Sequence, residues 1–252
     1  MKRKDISDIL KDWTFDPDIL NVRRIEGEDG TDKIQLRLDL GLLQMEVDGR
    51  PDGETPYNFE NFFEYLLSEQ RRMEESEDED EFILEPDDLR DLQQESIQYY
   101  HRYLCFAELG DHEGVVRDTE HNLMVLQFVE EFAEDEESAW SFIRYFPYIK
   151  MMNVQARVQI LLEEENYEDA LDWIDRNIDI IKEFNKKWGI QENRDSTREI
   201  RILLEWRDTV LNKKPLSKLE KLREQLDEAV RLERYEEAAQ IRDKLEKLHE
   251  EN

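Results

Sequence analysis

Leu219-Glu-Lys-Leu222-Arg-Glu-Gln-Leu226-Asp-Glu-Ala229 and, past the polar break Glu233-Arg234, Tyr235-Glu-Glu-Ala-Ala-Gln-Ile-Arg-Asp-Lys-Leu-Glu-Lys-Leu248 set the helical character of this chain. Leu219, Leu222, Leu226 and Ala229 recur at the spacing of one helix face, and Ala238, Ile241, Leu245 and Leu248 repeat it after the break. Two such stripes meet only if the chain turns back, so the stretch predicts a short antiparallel helical hairpin. Ala238 and Ala239 are small where the second helix leaves the turn, which lets two backbones approach. Glu236 and Glu237 fall in the first turn, where the helix dipole favours negative charge. A hairpin this short buries too little apolar surface to be very stable alone, and docking is expected to complete its core. The expected contact residues are Leu222, Leu226, Tyr235, Ala239, Ile241 and Leu245, with Arg242 and Asp243 fixing register through polar pairs.

The pattern resembles the UVR domain, the hairpin of the excision-repair proteins UvrB and UvrC and of some Clp-type chaperone systems. The matching residues are the leucines of the first helix, Leu232-Glu233, Tyr235, Glu236, Ala238-Ala239 and Arg242-Asp243. The plainer alternative is a Leu-, Glu- and Lys-rich coiled-coil tail, which has no need of tandem alanine or of Arg-Asp at that offset. The resemblance implies a module that binds other proteins, often another copy of the same hairpin. It is confined to the hairpin: the chain has no Gly-x4-Gly-Lys loop and no GxGxxG after a strand, so neither helicase nor excision activity follows. Some bacterial regulators join a UVR hairpin to zinc-binding cysteine pairs, but here Cys105 is the single cysteine. No disulfide, no CxxC metal site and no cofactor are therefore expected within one chain.

Upstream, residues 86–212 read as helical throughout. Tyr99, Tyr100, Tyr103, Leu104 and Phe106 precede the turn Leu109-Gly110-Asp111-His112, and Val115 and Val116 follow it. Asn166-Tyr167-Glu168-Asp169-Ala170 is flanked in the same way by Val158, Ile160, Leu161 and Leu162 and by Leu171, Ile174, Ile178 and Ile181. Both segments resemble tetratricopeptide-type helical hairpins, with Gly110 and Glu165 at equivalent places. Those places lie 55 residues apart rather than a multiple of about 34, so an additional helix is expected between them or the repeat has diverged. Ser196-Thr-Arg-Glu199 has capping-box spacing ahead of Ile200, Leu203, Leu204 and Val210, and Lys213-Lys214-Pro215 ends that helix.

The N-terminal part reads differently. After a short leading helix or docking segment carrying Ile6, Ile9, Leu10 and Trp13, Val22 to Ile25 is a candidate strand with Glu28-Asp29-Gly30 as its turn. Ile34, Leu36, Leu38 and Leu40 then alternate with Gln35, Arg37 and Asp39, the period-two pattern of a strand with one wet face. Gly41 breaks the run, and Leu43, Met45 and Val47 alternate up to Asp48-Gly49-Arg50-Pro51. The expectation is a three-stranded antiparallel meander covered by the helix that carries Phe59, Phe62, Phe63, Leu66 and Leu67. Glu74 to Glu81 holds seven acids in eight residues, a spacer with nothing to bury. The expected organisation is thus an α+β unit at 1–73, an acidic linker at 74–85, a tetratricopeptide-like body at 86–212 and the hairpin at 216–252, mainly α overall.

Composition supports extended helical structure and narrows function. Charged residues make up 40% of the chain, against a usual share of about 25%. The balance of 35 basic and 65 acidic residues leaves −30, of which the hairpin from Leu216 onward holds only −3 (8 against 11). So negative a surface repels phosphate backbones, and direct nucleic-acid binding is not expected; Lys2-Arg3-Lys4 reads as a solvated terminus. No stretch has the apolar core of a signal peptide or the roughly 20 apolar residues of a membrane span, which points to the cytoplasm. Carboxylate pairs such as Glu130-Glu131 arise by chance at this composition and do not mark a glycosidase or metal site. His101 and His112 lie near Cys105, but Tyr103, Leu104 and Phe106 around the thiol indicate a buried small hydrophobe rather than a nucleophile. No enzymatic activity is expected. The run Trp140-Ser-Phe-Ile-Arg-Tyr-Phe-Pro-Tyr148 is either core or a groove, with Trp140, Arg144 and Tyr145 as the groove candidates. The function expected is that of an adaptor docking through its tail to a protein with its own UVR-like hairpin, UvrB/UvrC-like or Clp-type, or to a second copy of itself. The alternative is an acidic decoy that imitates nucleic acid and occupies a DNA-binding protein.

Overall fold

The computed structural model describes residues 5–76, 81–190, 197–215 and 218–250. Lys2-Arg3-Lys4, positions 77–80 of the acidic run and Ser196 of the capping box lie outside the described residues, as do the side chains of Leu219 and Leu248. The chain divides into two compact units, Met1–Arg207 and Asp208–Asn252.

The first unit opens with a one-turn helix α1 (Ser7–Leu10) and a meander of β1 (Asn21–Glu26), β2 (Asp32–Arg37) and β3 (Leu42–Glu46). Both pairings are antiparallel, in the order β1-β2-β3. The alternation in the sequence appears as two faces. Val22, Leu36 and Leu43 sit in one cross-strand row, with Ile34 and Met45 in the next, and Ile34, Leu36 and Met45 are buried. The opposite face is polar and partly covered: Arg23 donates to Gln35 (2.8 Å), Gln35 to the exposed Gln44 (2.9 Å), and Lys33 reaches both Glu46 and Asp29. Lys33 and Gln35 are buried there, and the Arg23 guanidinium lies 4.0 Å above the Trp13 ring, which brings the N-terminal segment against this face. Leu38 and Leu40, expected to continue the strand, instead lie beyond its end and are exposed, because the chain reverses at Gly41.

Helices follow in the order α2 (Phe62–Glu74), α3 (Pro86–Leu109), α4 (His112–Phe132), α5 (Glu136–Ile143), α6 (Phe146–Glu163), α7 (Tyr167–Lys187) and α8 (Arg198–Lys213), the last running into the second unit. The sheet is not covered by α2. Its apolar face packs on Tyr103, Cys105 and Phe106 of α3, Val115 and Val116 of α4 and Ala156 of α6. Phe62, Phe63 and Leu66 of α2 enter a second core with Leu92, Val125, Val129, Phe142 and Ile149. The stretch expected as a spacer is partly core as well: Leu84 is 1% exposed, its N–H donates to the Phe132 carbonyl (2.9 Å), and Phe82 packs on Phe128 and Phe132. Sheet and helices therefore share one compact unit, with no division at 73 or 86.

Buried charge locks this assembly. Arg102 on α3 is 1% exposed and Asp118 on α4 is 0% exposed, and they form a two-pronged pair. Arg102 Nη1 also donates to the carbonyls of Glu46 (3.0 Å) and Gly49 (2.8 Å), clamping the end of β3 onto the helices. Glu95, fully buried, accepts from the N–H groups of Phe62 (2.7 Å) and Phe63 (3.1 Å) and so caps the N-terminus of α2. Arg50 Nε lies 3.5 Å from the same carboxylate.

The two expected helical hairpins are α3/α4 and α6/α7, with α5 between them. Their turns are alike. Gly110 (φ 72°) and Glu165 (φ 58°) are left-handed, and the following N–H reaches back to the carbonyl five residues earlier, Asp111 to Phe106 (2.9 Å) and Asn166 to Leu161 (2.8 Å). Asp111 and Asn166 then cap the next helix, accepting from Gly114 and Asp169 N–H. At Gly114 a Cβ would meet the Phe106 ring at 2.7 Å, so only glycine allows this approach of α3 and α4.

Candidate docking hairpin and aromatic cavity

The second unit carries α9 (Lys218–Arg231) and α10 (Tyr235–Glu250), packed as an antiparallel hairpin. Its turn repeats the geometry of the first unit. Glu233 is left-handed (φ 58°), and Arg234 N–H donates to the Ala229 carbonyl at 2.8 Å. Ala229, Ala238 and Ile241 form the buried centre, with Leu222, Leu226 and Leu245 packed against it partly exposed. The close approach expected at Ala238-Ala239 is made by Ala238 alone; Ala239 points to the outside and is exposed. One residue further along a helix turns the side chain by roughly 100°, which takes it off the seam.

Tyr235 is 68% exposed, and beside it in sequence Val230 (52%) and Leu232 (47%) are exposed too. Three apolar side chains thus border one turn. Val230 and Leu232 escape a reading by stripes, because only residues in register with the seam are picked out. Arg242 and Asp243 are exposed on α10 and approach each other at 3.3 Å. Glu236 and Glu237 stand in the first turn of α10, with Arg234 3.5 Å from Glu237.

Residues 217–251 match the UvrB/uvrC motif, UVR. The UVR hairpin accounts for about a seventh of the chain, and its bounds coincide with α9, the Glu233 turn and α10. No curated protein and no solved structure matches the chain.

In the first unit the aromatic run splits. Trp140 turns toward the end of α7 and meets Trp188 in a tilted ring contact (5.5 Å between rings), and Phe146 stacks on Phe184 (4.7 Å). Arg144 lies over the Tyr145 ring and donates to its hydroxyl at 2.8 Å. Tyr145 borders a cavity of about 400 Å³ between α3, α4, α5 and α6, which Trp140 and Arg144 do not line. Its inner wall holds Tyr103, Leu126, Phe142 and Ile149, all buried; Tyr100 and Tyr145 are exposed at its edge.

Cys105 is 0% exposed, and burial pushes its thiol up to about 12 from the ordinary 9.0, so the sulfur stays protonated. Burial also lowers the basicity of His101. Among the described residues no group of three His, Cys, Asp or Glu side chains is placed to hold a metal ion. No described helix is long and apolar enough to cross a membrane.

Proposed function

We propose that this is a non-enzymatic cytoplasmic interaction protein, an adaptor whose UVR hairpin docks onto another protein. The observation that carries this reading is the exposure of Val230, Leu232 and Tyr235 around one turn of a hairpin whose described core has only Ala229, Ala238 and Ile241 well buried. A core of that size is marginal, and a second surface laid on it removes further apolar area from water. The UVR match supports a protein as the partner class, and the partner we favour carries a hairpin of the same kind, UvrB/UvrC-like or Clp-type, or is a second copy of this chain. Recovery of partners from extract by the intact chain, compared with a chain ending at Asn212, tests the reading. Loss of specific partners on truncation is expected, and equal recovery rejects tail docking.

A second reading is supported by the −30 charge, nearly all of it outside the hairpin. An acidic surface can occupy the Lys and Arg groups of a DNA-binding protein. Such binding weakens steeply with salt, whereas docking through Val230, Leu232 and Tyr235 does not.

A further inference from the structure

In the first unit α4 and α7 each pack on α6 and hardly touch one another, so α6 is the floor of an open groove of about 720 Å³. Leu123 and Met124 of α4 form one wall and Ile180 and Phe184 of α7 the other, while Phe146 and Lys150 lie on the floor one helical turn apart. We propose that this groove binds a medium-chain aliphatic carboxylate, its head on the Lys150 ammonium and its tail over Phe146 and Phe184.

The head group follows from charge. Glu120, Glu130 and Lys150 are the charged side chains that line the groove. Both acids are already taken: Arg157 donates to Glu120 at 2.8 Å, and Lys187 pairs with Glu130. Lys150 makes no hydrogen bond or ion pair among the described residues. Its nitrogen is enclosed enough that burial lowers its basicity, against the opposing pull of Glu120, yet it is not among the unpaired side-chain atoms sealed from solvent. The groove therefore holds one surplus cation that a ligand can reach, at a half-buried place where a charge-assisted hydrogen bond is stronger than in water. The −30 of the whole chain opposes an anion only weakly beyond about 8 Å at physiological ionic strength.

The tail follows from the walls. Met124 is 51% and Ile180 41% exposed, apolar surface that a methylene chain would remove from water. Leu123 and Glu130 stand seven residues apart on α4, roughly 10 Å, which suits a chain of about eight carbons ending at the Lys187–Glu130 pair.

Calorimetric titration of the full chain at physiological salt with octanoate, octanamide and octylammonium tests this, because the three share a tail and differ in head charge. Octanoate is expected to saturate one site and to bind about tenfold more tightly than octanamide, the effect of an ionised acceptor on the ammonium. Octylammonium is expected not to bind, and butyrate to bind at least about tenfold more weakly than octanoate, since four methylenes are lost. Octanoate should shift the methyl resonance of Met124 and leave that of Met45, buried in the sheet core, in place. Lys150→Met, which keeps the length of the stem, is expected to bring octanoate down to the affinity of octanamide, whereas Lys182→Met, outside the groove, changes nothing. Octanamide binding as tightly as octanoate, binding of octylammonium, no binding of octanoate, or full octanoate affinity in Lys150→Met overturns the proposal. The comparison of head groups on the unmodified chain needs no variant to fold.

Discussion

Arg102 and Asp118 meet across α3 and α4 in two parallel hydrogen bonds, Nε to Oδ2 at 2.7 Å and Nη2 to Oδ1 at 2.8 Å, with neither side chain more than 1% exposed. Removing one partner leaves the other charged and buried, which costs about 3–5 kcal/mol. Arg102→Met is expected to exceed Asp118→Asn, since it also strips the donor from the Glu46 and Gly49 carbonyls. Denaturant unfolding of the two variants gives the order. Similar losses would mean that the clamp on β3 contributes nothing.

Cys105 yields a prediction with a sign. Its folded pKa, about 12, is above the ordinary 9.0, so in alkali the unfolded chain loses this proton first. The contribution is fully present below pH 9 and is lost as pH rises toward 12. At pH 8 the thiol should resist a disulfide-exchange reagent in the native protein and react at the rate of unfolding. Rapid stoichiometric labelling without unfolding would show that the thiol is open to solvent.

Much of this architecture was legible locally. Ile34 and Leu36 alternate because the strand does, and the Gly110 and Glu165 turns announce themselves by a left-handed position followed by a capping side chain. What a face packs against was not legible: the period of Phe62, Phe63 and Leu66 shows an apolar stripe, but the sheet and the helical core are equally apolar partners. Glu95 and Asp118 were hidden among 65 acidic residues, since burial of a carboxylate leaves no local mark in sequence. In the hairpin the stripe was legible and its rotation was not, which is why Ala238 and Ala239 could not be told apart.

That distinction separates folding from docking. Ala238→Glu puts an unpaired carboxylate into the seam beside Ala229 and Ile241, and the hairpin should lose helicity by circular dichroism. Ala239→Glu, at an exposed site, should keep helicity and weaken partner binding only. Two variants with the same helicity would place the seam elsewhere.

Glu233 occupies a left-handed position (φ 58°) that glycine adopts without steric penalty. Glu233→Gly is expected to stabilise the hairpin by about 1 kcal/mol. Thermal unfolding of the tail followed by helicity checks this, and a drop in midpoint would contradict the turn geometry.

Tyr235 tests the docking surface itself. Because its ring is 68% exposed, truncation removes little from the hairpin core, so the effect should fall on binding rather than on folding. An aromatic anchor at the centre of an interface is worth on the order of 2 kcal/mol, or about thirtyfold in affinity. Tyr235→Ala is therefore expected to keep the helicity of the intact chain and to lose the partners that truncation after Asn212 loses. Leu232→Ser should act in the same direction with a smaller loss, as its side chain is smaller and also exposed. Combining either with Glu233→Gly restores any stability lost at the turn without restoring contact area. If Glu233→Gly rescued binding in the Tyr235→Ala chain, Tyr235 would act by holding the turn; if it did not, the ring itself is what the partner recognises.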